Sequence, residues 1–140
     1  MSDQIKKEIA DYLAGHAHLR LATVSGDGNP DTATVAYVND GATVYFVTDR
    51  RTLKAANITG NRIVAFTVDG DYHGWKETQG MQIVGQALPV DEPDEMENVK
   101  DLFAEKFPLM YSIPGGFAMN VYRVEPQHGF LLDNSQEPRQ

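Results

Sequence analysis

Between residues 18 and 48, three runs rich in β-branched and aromatic residues, HLRLATVS, TATVAYV and ATVYFVT, are divided by GDGNP and NDG. Short runs of this composition favour strands, and Gly, Asn, Asp and Pro clustered between them favour tight turns, so this third of the chain predicts a β-meander. RIVAFTVD (62–69) and GMQIVGQALPV (80–90) continue the pattern around a loop, GDYHGWKETQ, and FAMNVYRVEP and HGFLLD supply two further strands. Six or more hairpin-connected strands with few helices are best satisfied by a closed or nearly closed antiparallel barrel, which leaves no long sheet edge exposed. Glycines beside the strands suit the bends that closure needs.

Helices frame this β core. Ile5, Ile9, Tyr12 and Leu13 recur at helical spacing and Gly15 can end the turn, predicting an amphipathic helix over 3–14. A second long helix is expected over 92–106, capped by Asp91, with Pro93 in its first turn and Met96, Val99, Leu102 and Phe103 on its apolar face. The acids of DEPDEME suit the positive end of that helix dipole. PLMYSIPGG then breaks the helical period as a connection, and the polar tail 135–140 is expected to fray. With 140 residues and no linker or repeat, the chain reads as one domain, 1–140.

Composition narrows the chemistry. A formal net charge of −8 opposes binding to nucleic acid or an anionic membrane, and no apolar run approaches a membrane span. The charged N-terminus lacks the apolar stretch of a signal peptide, so a cytoplasmic protein is expected. The absence of cysteine excludes thiolate catalysis, thiolate metal sites and disulfides. His16, His18, His73 and His128 are too scattered to predict a metal site. His73 and Trp75 sit in a Gly-bounded loop from which an aromatic could cover a ligand, although a tryptophan is more often a core or interface residue.

One stretch runs against the overall charge. TDRRTLKAANITGNR (48–62) sets Arg50, Arg51, Lys54 and Arg62 around Thr52. If Thr52 caps a short helix over 52–59, three cations crowd its N-terminus, where the helix dipole disfavours them by a few tenths of a kcal/mol each (~0.3). A bound phosphate reverses that sign, because free N–H groups, a hydroxyl and cations then share one dianion. The bland alternative is a solvated basic loop partly countered by Asp49. Neither a GxxxxGK[ST] nor a GxGxxG motif occurs, which gives no support to a nucleoside-triphosphate or Rossmann site.

The order of these elements resembles the pyridoxamine-phosphate-oxidase-like, FMN-binding split β-barrel proteins. The resemblance rests on Leu21 to Val24, the turn Gly28 to Pro30, Thr32 to Tyr37, the hairpin Asp40 to Thr48, Thr52 with Lys54, and Asn61 to Val64, and it extends over residues 15–134. It implies a homodimer with FMN at the subunit interface. It also implies a phosphate held by Thr48, Arg51, Thr52 and Lys54, the ring along Thr34, Val35 and Ala36, and Gln82 reaching the flavin. Thr34 or a nearby N–H would stabilise the charge of reduced flavin, and no side chain is singled out as catalytic. Leu53 stands where the oxidase has an arginine, and no pair of substrate-phosphate residues is found near the C-terminus. The expected activity is therefore a flavin-dependent oxidoreduction, with a small-molecule electron donor or acceptor, rather than pyridoxamine phosphate oxidation. The alternatives are a flavin-binding or electron-transfer module without its own chemistry, and a split barrel that binds haem, with His128 the first ligand to consider, or a deazaflavin. The acidic surface argues against the anionic tail of a deazaflavin.

Overall fold

The computed structural model describes residues 2–70, 79–109 and 119–133. In chain order the elements are α1 (Asp3–Ala14), β1 (His18–Val24), β2 (Pro30–Asp40), β3 (Thr43–Asp49), α2 (Leu53–Gly60), β4 (Ile63–Asp69), β5 (Gln79–Pro89), α3 (Pro93–Lys106) and β6 (Met119–Asp133). The six strands form a closed antiparallel barrel in the order β1-β2-β3-β6-β5-β4, with β4 returning to β1. His73, Trp75, the tail 135–140 and most of PLMYSIPGG lie outside the described residues. No helix among the described residues is long and apolar enough to cross a membrane.

Alternation along the strands builds the interior. Leu19, Leu21, Tyr37, Phe46, Phe66 and Ile83 point inward and are fully buried, while the residues between them face outward as the period of two requires. The NDG turn forms a two-residue hairpin in which Gly41 takes φ 60°. No other residue type holds that conformation cheaply, and glycine in the first loop position is what a type II′ hairpin asks for.

The helices attach by their apolar stripes. On α1, Ile9 and Leu13 enter the barrel core, and the buried Tyr37 hydroxyl donates to the Leu13 carbonyl at 2.7 Å. Ile5, expected on the same stripe, is 41% exposed, because the first turn of α1 projects past the packed surface. On α2, the buried Asn57 amide donates to Thr23 Oγ1 of β1 at 3.0 Å, tying the helix to the barrel. Along α3, Val99 packs with Val38, Tyr45 and Val90 in a second, smaller cluster outside the barrel.

Two expectations are corrected. The cap of α3 falls at Glu92, with no side-chain capping bond, rather than at Asp91. Pro93 occupies the first helical position and holds the residue before it in extended backbone, which moves the boundary by one. FAMNVYRVEP and HGFLLD are one strand, β6, rather than two. Its ladder with β5 shifts register where Val84 pairs with His128 and Gly85 with Pro126, leaving Gln127 as an extra residue. Pro126 has no N–H to give a regular ladder, and a bulge absorbs it without ending the strand.

Candidate functional site

The barrel is open along part of one seam. β2 pairs with β1 from Pro30 to Ala36, whereas its ladder with β3 spans only Tyr37 to Asp40. Beyond the Tyr37–Phe46 pair β3 continues against β6, where Thr48 lies opposite Asn120. The direction of the free groups follows from alternation. Tyr37 N–H donates to the Ala17 carbonyl on the β1 side at 3.2 Å, so Val35 points its backbone groups the same way and Thr34 and Ala36 point theirs into the gap. The β2–β3 ladder ends at the Tyr37–Phe46 pair, so it does not continue to pair Ala36 or Thr34. The side chain of Val35 is buried, that of Ala36 half-buried and that of Thr34 exposed. A strand edge of this kind offers N–H and C=O in alternation, a pattern suited to a planar ligand carrying an imide or amide edge.

Across the gap, the end of β3 leads into α2. Thr48 continues the inward row of Val44 and Phe46, is 2% exposed, and its Oγ1 has no hydrogen-bond partner among the described residues. Thr52 caps α2: its hydroxyl donates to the Asp49 carbonyl at 2.7 Å and accepts from Ala55 N–H at 3.4 Å. The N–H groups of Leu53 and Lys54, in the first turn, have no intrahelical acceptor.

The four cations of the basic stretch do not act together. Arg51 clamps Asp49 through Nε at 3.0 Å and Nη2 at 2.7 Å, and its backbone N–H donates to the same carboxylate. These bonds hold the Asp49 carboxyl far below the usual carboxylate range, and the Arg51 side chain is 83% exposed. Arg50 turns to Asn120, and Arg62 lies beyond the far end of α2. Lys54, half-buried, has no ion pair or hydrogen bond among the described residues. At the start of α2, then, a ligand phosphate would meet Lys54 and two free N–H groups, with Asp49 already neutralising Arg51.

Gln82 lies in one cross-strand row with Thr34 by register. Arg20 lies opposite Thr34 on β2 and Thr67 on β4, and Thr67 lies opposite Gln82 on β5. All four are exposed, forming one polar row on the outer face. Thr34 and Gln82 are thus three strand spacings apart, about 14 Å. Sequence reading missed Arg20 and Thr67; period-two alternation marks them as outward-facing, but only the pairing register puts them in this row. Arg20 also forms an ion pair with Asp69.

Beside Thr34 a shallow cleft of ≈ 270 Å³ is lined by His16, His18, Arg20 and Asp69. His16 stacks on Tyr12 with ring centroids 4.3 Å apart, and its Nδ1 is 2.9 Å from the Tyr12 carbonyl. A carbonyl only accepts, so Nδ1 is the nitrogen that donates here. His128 sits exposed on β6. No group of three or more ligating side chains that could hold a metal occurs among the described residues.

Comparison with known proteins adds to this geometry. The conserved hypothetical protein Rv2991 from Mycobacterium tuberculosis superposes with a TM-score of 0.79 at 22% identity, over 96% of this chain and 86% of that one. HutZ, the haem storage protein from Vibrio cholerae, gives 0.73 at 18% identity, over 90% and 92% of the two chains. A haem-binding protein from Mycobacterium smegmatis gives 0.71 at 14% identity, covering 93% of this chain and 58% of that one. At such identities the likeness is one of fold. No curated protein matches the chain. The family model for pyridoxamine 5'-phosphate oxidase matches residues 5–133, nearly the whole barrel and α1, and on that match the chain belongs to the pyridoxamine 5'-phosphate oxidase family.

Proposed function

We propose that this protein binds FMN as a homodimer, with the flavin at the subunit interface, and serves as a flavin-dependent oxidoreductase. The observation that carries this reading is the open edge of β2 at Thr34 and Ala36, facing a gap whose other side leads to the start of α2. The pyrimidine edge of an isoalloxazine presents acceptor, donor and acceptor in turn, which complements alternating backbone N–H and C=O groups. The phosphate suits the α2 N-terminus with Lys54, where it gains from the dipole and from free N–H donors. The orphaned Thr48 hydroxyl supplies a further polar atom beside that end of β3.

When bound, FMN supplies acceptance and return of a hydride or of single electrons. The chain's own share is to grip the pyrimidine edge through β2, anchor the phosphate, and set the charge near the ring. Backbone N–H donors fixed on a strand favour an anionic pyrimidine without having to reorganise. Arg20, Thr67 and Gln82 extend a polar surface across the outer face from Thr34, and a second copy of the chain laid there would enclose the ring and exclude water.

Haem is a second reading, favoured by His16, which lines a cleft together with Arg20, and by the haem proteins among the similar folds. One experiment separates the two. The protein is incubated with FMN or with haem, freed of excess ligand, and its visible spectrum recorded with its sedimentation. Flavin bands retained at one per chain, on a species of twice the 15.5 kDa chain mass, support the proposal. A retained Soret band that His16→Ala abolishes supports haem instead.

A further inference from the structure

The cations that the α2 start does not use meet elsewhere. A cleft of ≈ 340 Å³ opens at the barrel end between the C-terminal half of α2, the last residues of β5 and the first of β6, and both Arg50 and Arg62 line it. Its size is at the lower end of the ~300–1,000 Å³ of small-ligand pockets. Ile58, Val90, Met96 and Met119 give it apolar walls.

Arg50 is held there from the core. Tyr122, 3% exposed, accepts through its hydroxyl from Asn120 Nδ2 at 3.0 Å, and Asn120 Oδ1 accepts from Arg50 Nε at 3.0 Å. This relay spends one of the five guanidinium donors and aims the group, leaving both terminal nitrogens free. Arg62 accepts from Ala87 N–H through its backbone carbonyl at 2.8 Å, and its side chain has no hydrogen bond or ion pair among the described residues. Asp91 lines the same cleft yet forms an ion pair with neither arginine. In a chain carrying −8, two uncompensated guanidinium groups on one apolar cleft favour an anion, and the fork geometry of arginine suits a carboxylate.

We propose that this cleft is a binding site for a small organic monoanion, a carboxylate carried on an apolar body of about one ring. Arg50 and Arg62 take the carboxylate, and the apolar body lies against Met96, Met119 and Val90. Asp91 disfavours a second negative charge, so monocarboxylates bind better than dicarboxylates. Neither Thr52 nor Lys54 lines this cleft, and the proposal does not depend on the flavin reading.

The test is a titration of the full-length protein with benzoate, followed by side-chain N–H resonances of arginine and Asn120 and by calorimetry, with phthalate and inorganic phosphate as comparison ligands. Saturable benzoate binding is expected, with phthalate and phosphate weaker. Arg62→Gln and Arg50→Gln should each weaken benzoate about tenfold or more, the loss of a charge-assisted bond. Arg62→Gln breaks no contact described in the fold, so it keeps the test open if Arg50→Gln destabilises the protein. Absence of saturable benzoate binding, equal affinity for phosphate and benzoate, or unchanged benzoate affinity in a folded Arg62→Gln overturns the proposal. FMN affinity should be the same in wild type and Arg62→Gln; a parallel loss of FMN would merge this cleft with the flavin site and overturn its independence.

Discussion

The backbone of β2 can be tested by two neighbouring proline substitutions that differ in the direction of one N–H. Ala36→Pro removes an N–H that points toward β3 just beyond the last pair of the β2–β3 ladder, Tyr37–Phe46. Edge positions of this kind tolerate proline, and the preceding Val35 already has the extended backbone that proline imposes. The cost to the fold is expected to stay below about 1 kcal/mol, or ~4 °C in Tm for a domain of this size. Val35→Pro removes the N–H that points to β1, opposite Leu19, and so breaks a ladder bond within the barrel. It also alters a buried side chain, and a loss of at least ~2 kcal/mol is expected.

Ligand binding should rank the two the other way. If the flavin pyrimidine accepts from Ala36 N–H, Ala36→Pro leaves a desolvated carbonyl without its donor, at about 1–3 kcal/mol, a ~5- to 150-fold rise in the Kd for FMN. The assay is quenching of FMN fluorescence on titration, with thermal melts of each variant recorded alongside. A folded Ala36→Pro protein that binds FMN as tightly as wild type would refute the assignment of the open edge to the pyrimidine.

Further outcomes follow from the same geometry. Lys54→Ala should weaken FMN by about 1.5–3 kcal/mol in the same titration, whereas Arg51→Ala should cost less, because Asp49 already engages both its guanidinium and its N–H. Arg123 donates to both oxygens of Glu95 at 2.7 and 2.9 Å, and the Tyr45 hydroxyl, its pKa pushed up to about 12 chiefly by burial and next by Glu95, donates to the same carboxylate. The Arg123 bonds lower the Glu95 pKa. The resulting stability is complete above the ordinary carboxylate pKa, ~4.3, and is lost as pH falls through the lowered folded value. Glu95→Gln should therefore cost about 1–2 kcal/mol at pH 7 in urea unfolding, and the gap from wild type should close in acid. In chemical denaturation, Gly85→Ala should be the more damaging of two glycine changes. Its Cβ would lie 2.6 Å from the Glu125 carbonyl oxygen, a backbone atom, whereas at Gly129 the 2.6 Å clash is with Ile83 Cδ1, the end of a side chain that can turn away.

The strands were legible because composition and turn residues are local signals: HLRLATVS reads as a strand from its own residues, and the structure makes it β1, with Leu19, Leu21 and Thr23 buried. Thr52 as a cap was legible for the same reason, since it needs only its neighbours. The open seam was not. TATVAYV reads as an uninterrupted strand, and nothing within it says that its pairing with β3 begins only at Tyr37. It depends on how the barrel closes, with β3 held along its other edge by β6 from Val44 to Asp49, a pairing 70 to 80 residues apart in the chain. Gln82 and Thr34 likewise share a row only because three ladders hold their registers.

The basic stretch shows how a short element sorts residues that sequence places together. Arg51 is drawn to Asp49 within a turn, so its charge is spent locally, while Arg50 finds its partner in Asn120, 70 residues on. Between Thr52 and Arg62 stands α2, whose eight residues span about 12 Å, more than an arginine side chain can fold back over. A single anion at the helix start therefore cannot account for Arg62. Lys54 and the free N–H groups stay at the helix start, while Arg50 and Arg62, from either side of the helix in sequence, line one cleft that includes neither Thr52 nor Lys54. One run of cations is thus shared between two places in the fold, and the charge at each has to be explained by what that place can hold.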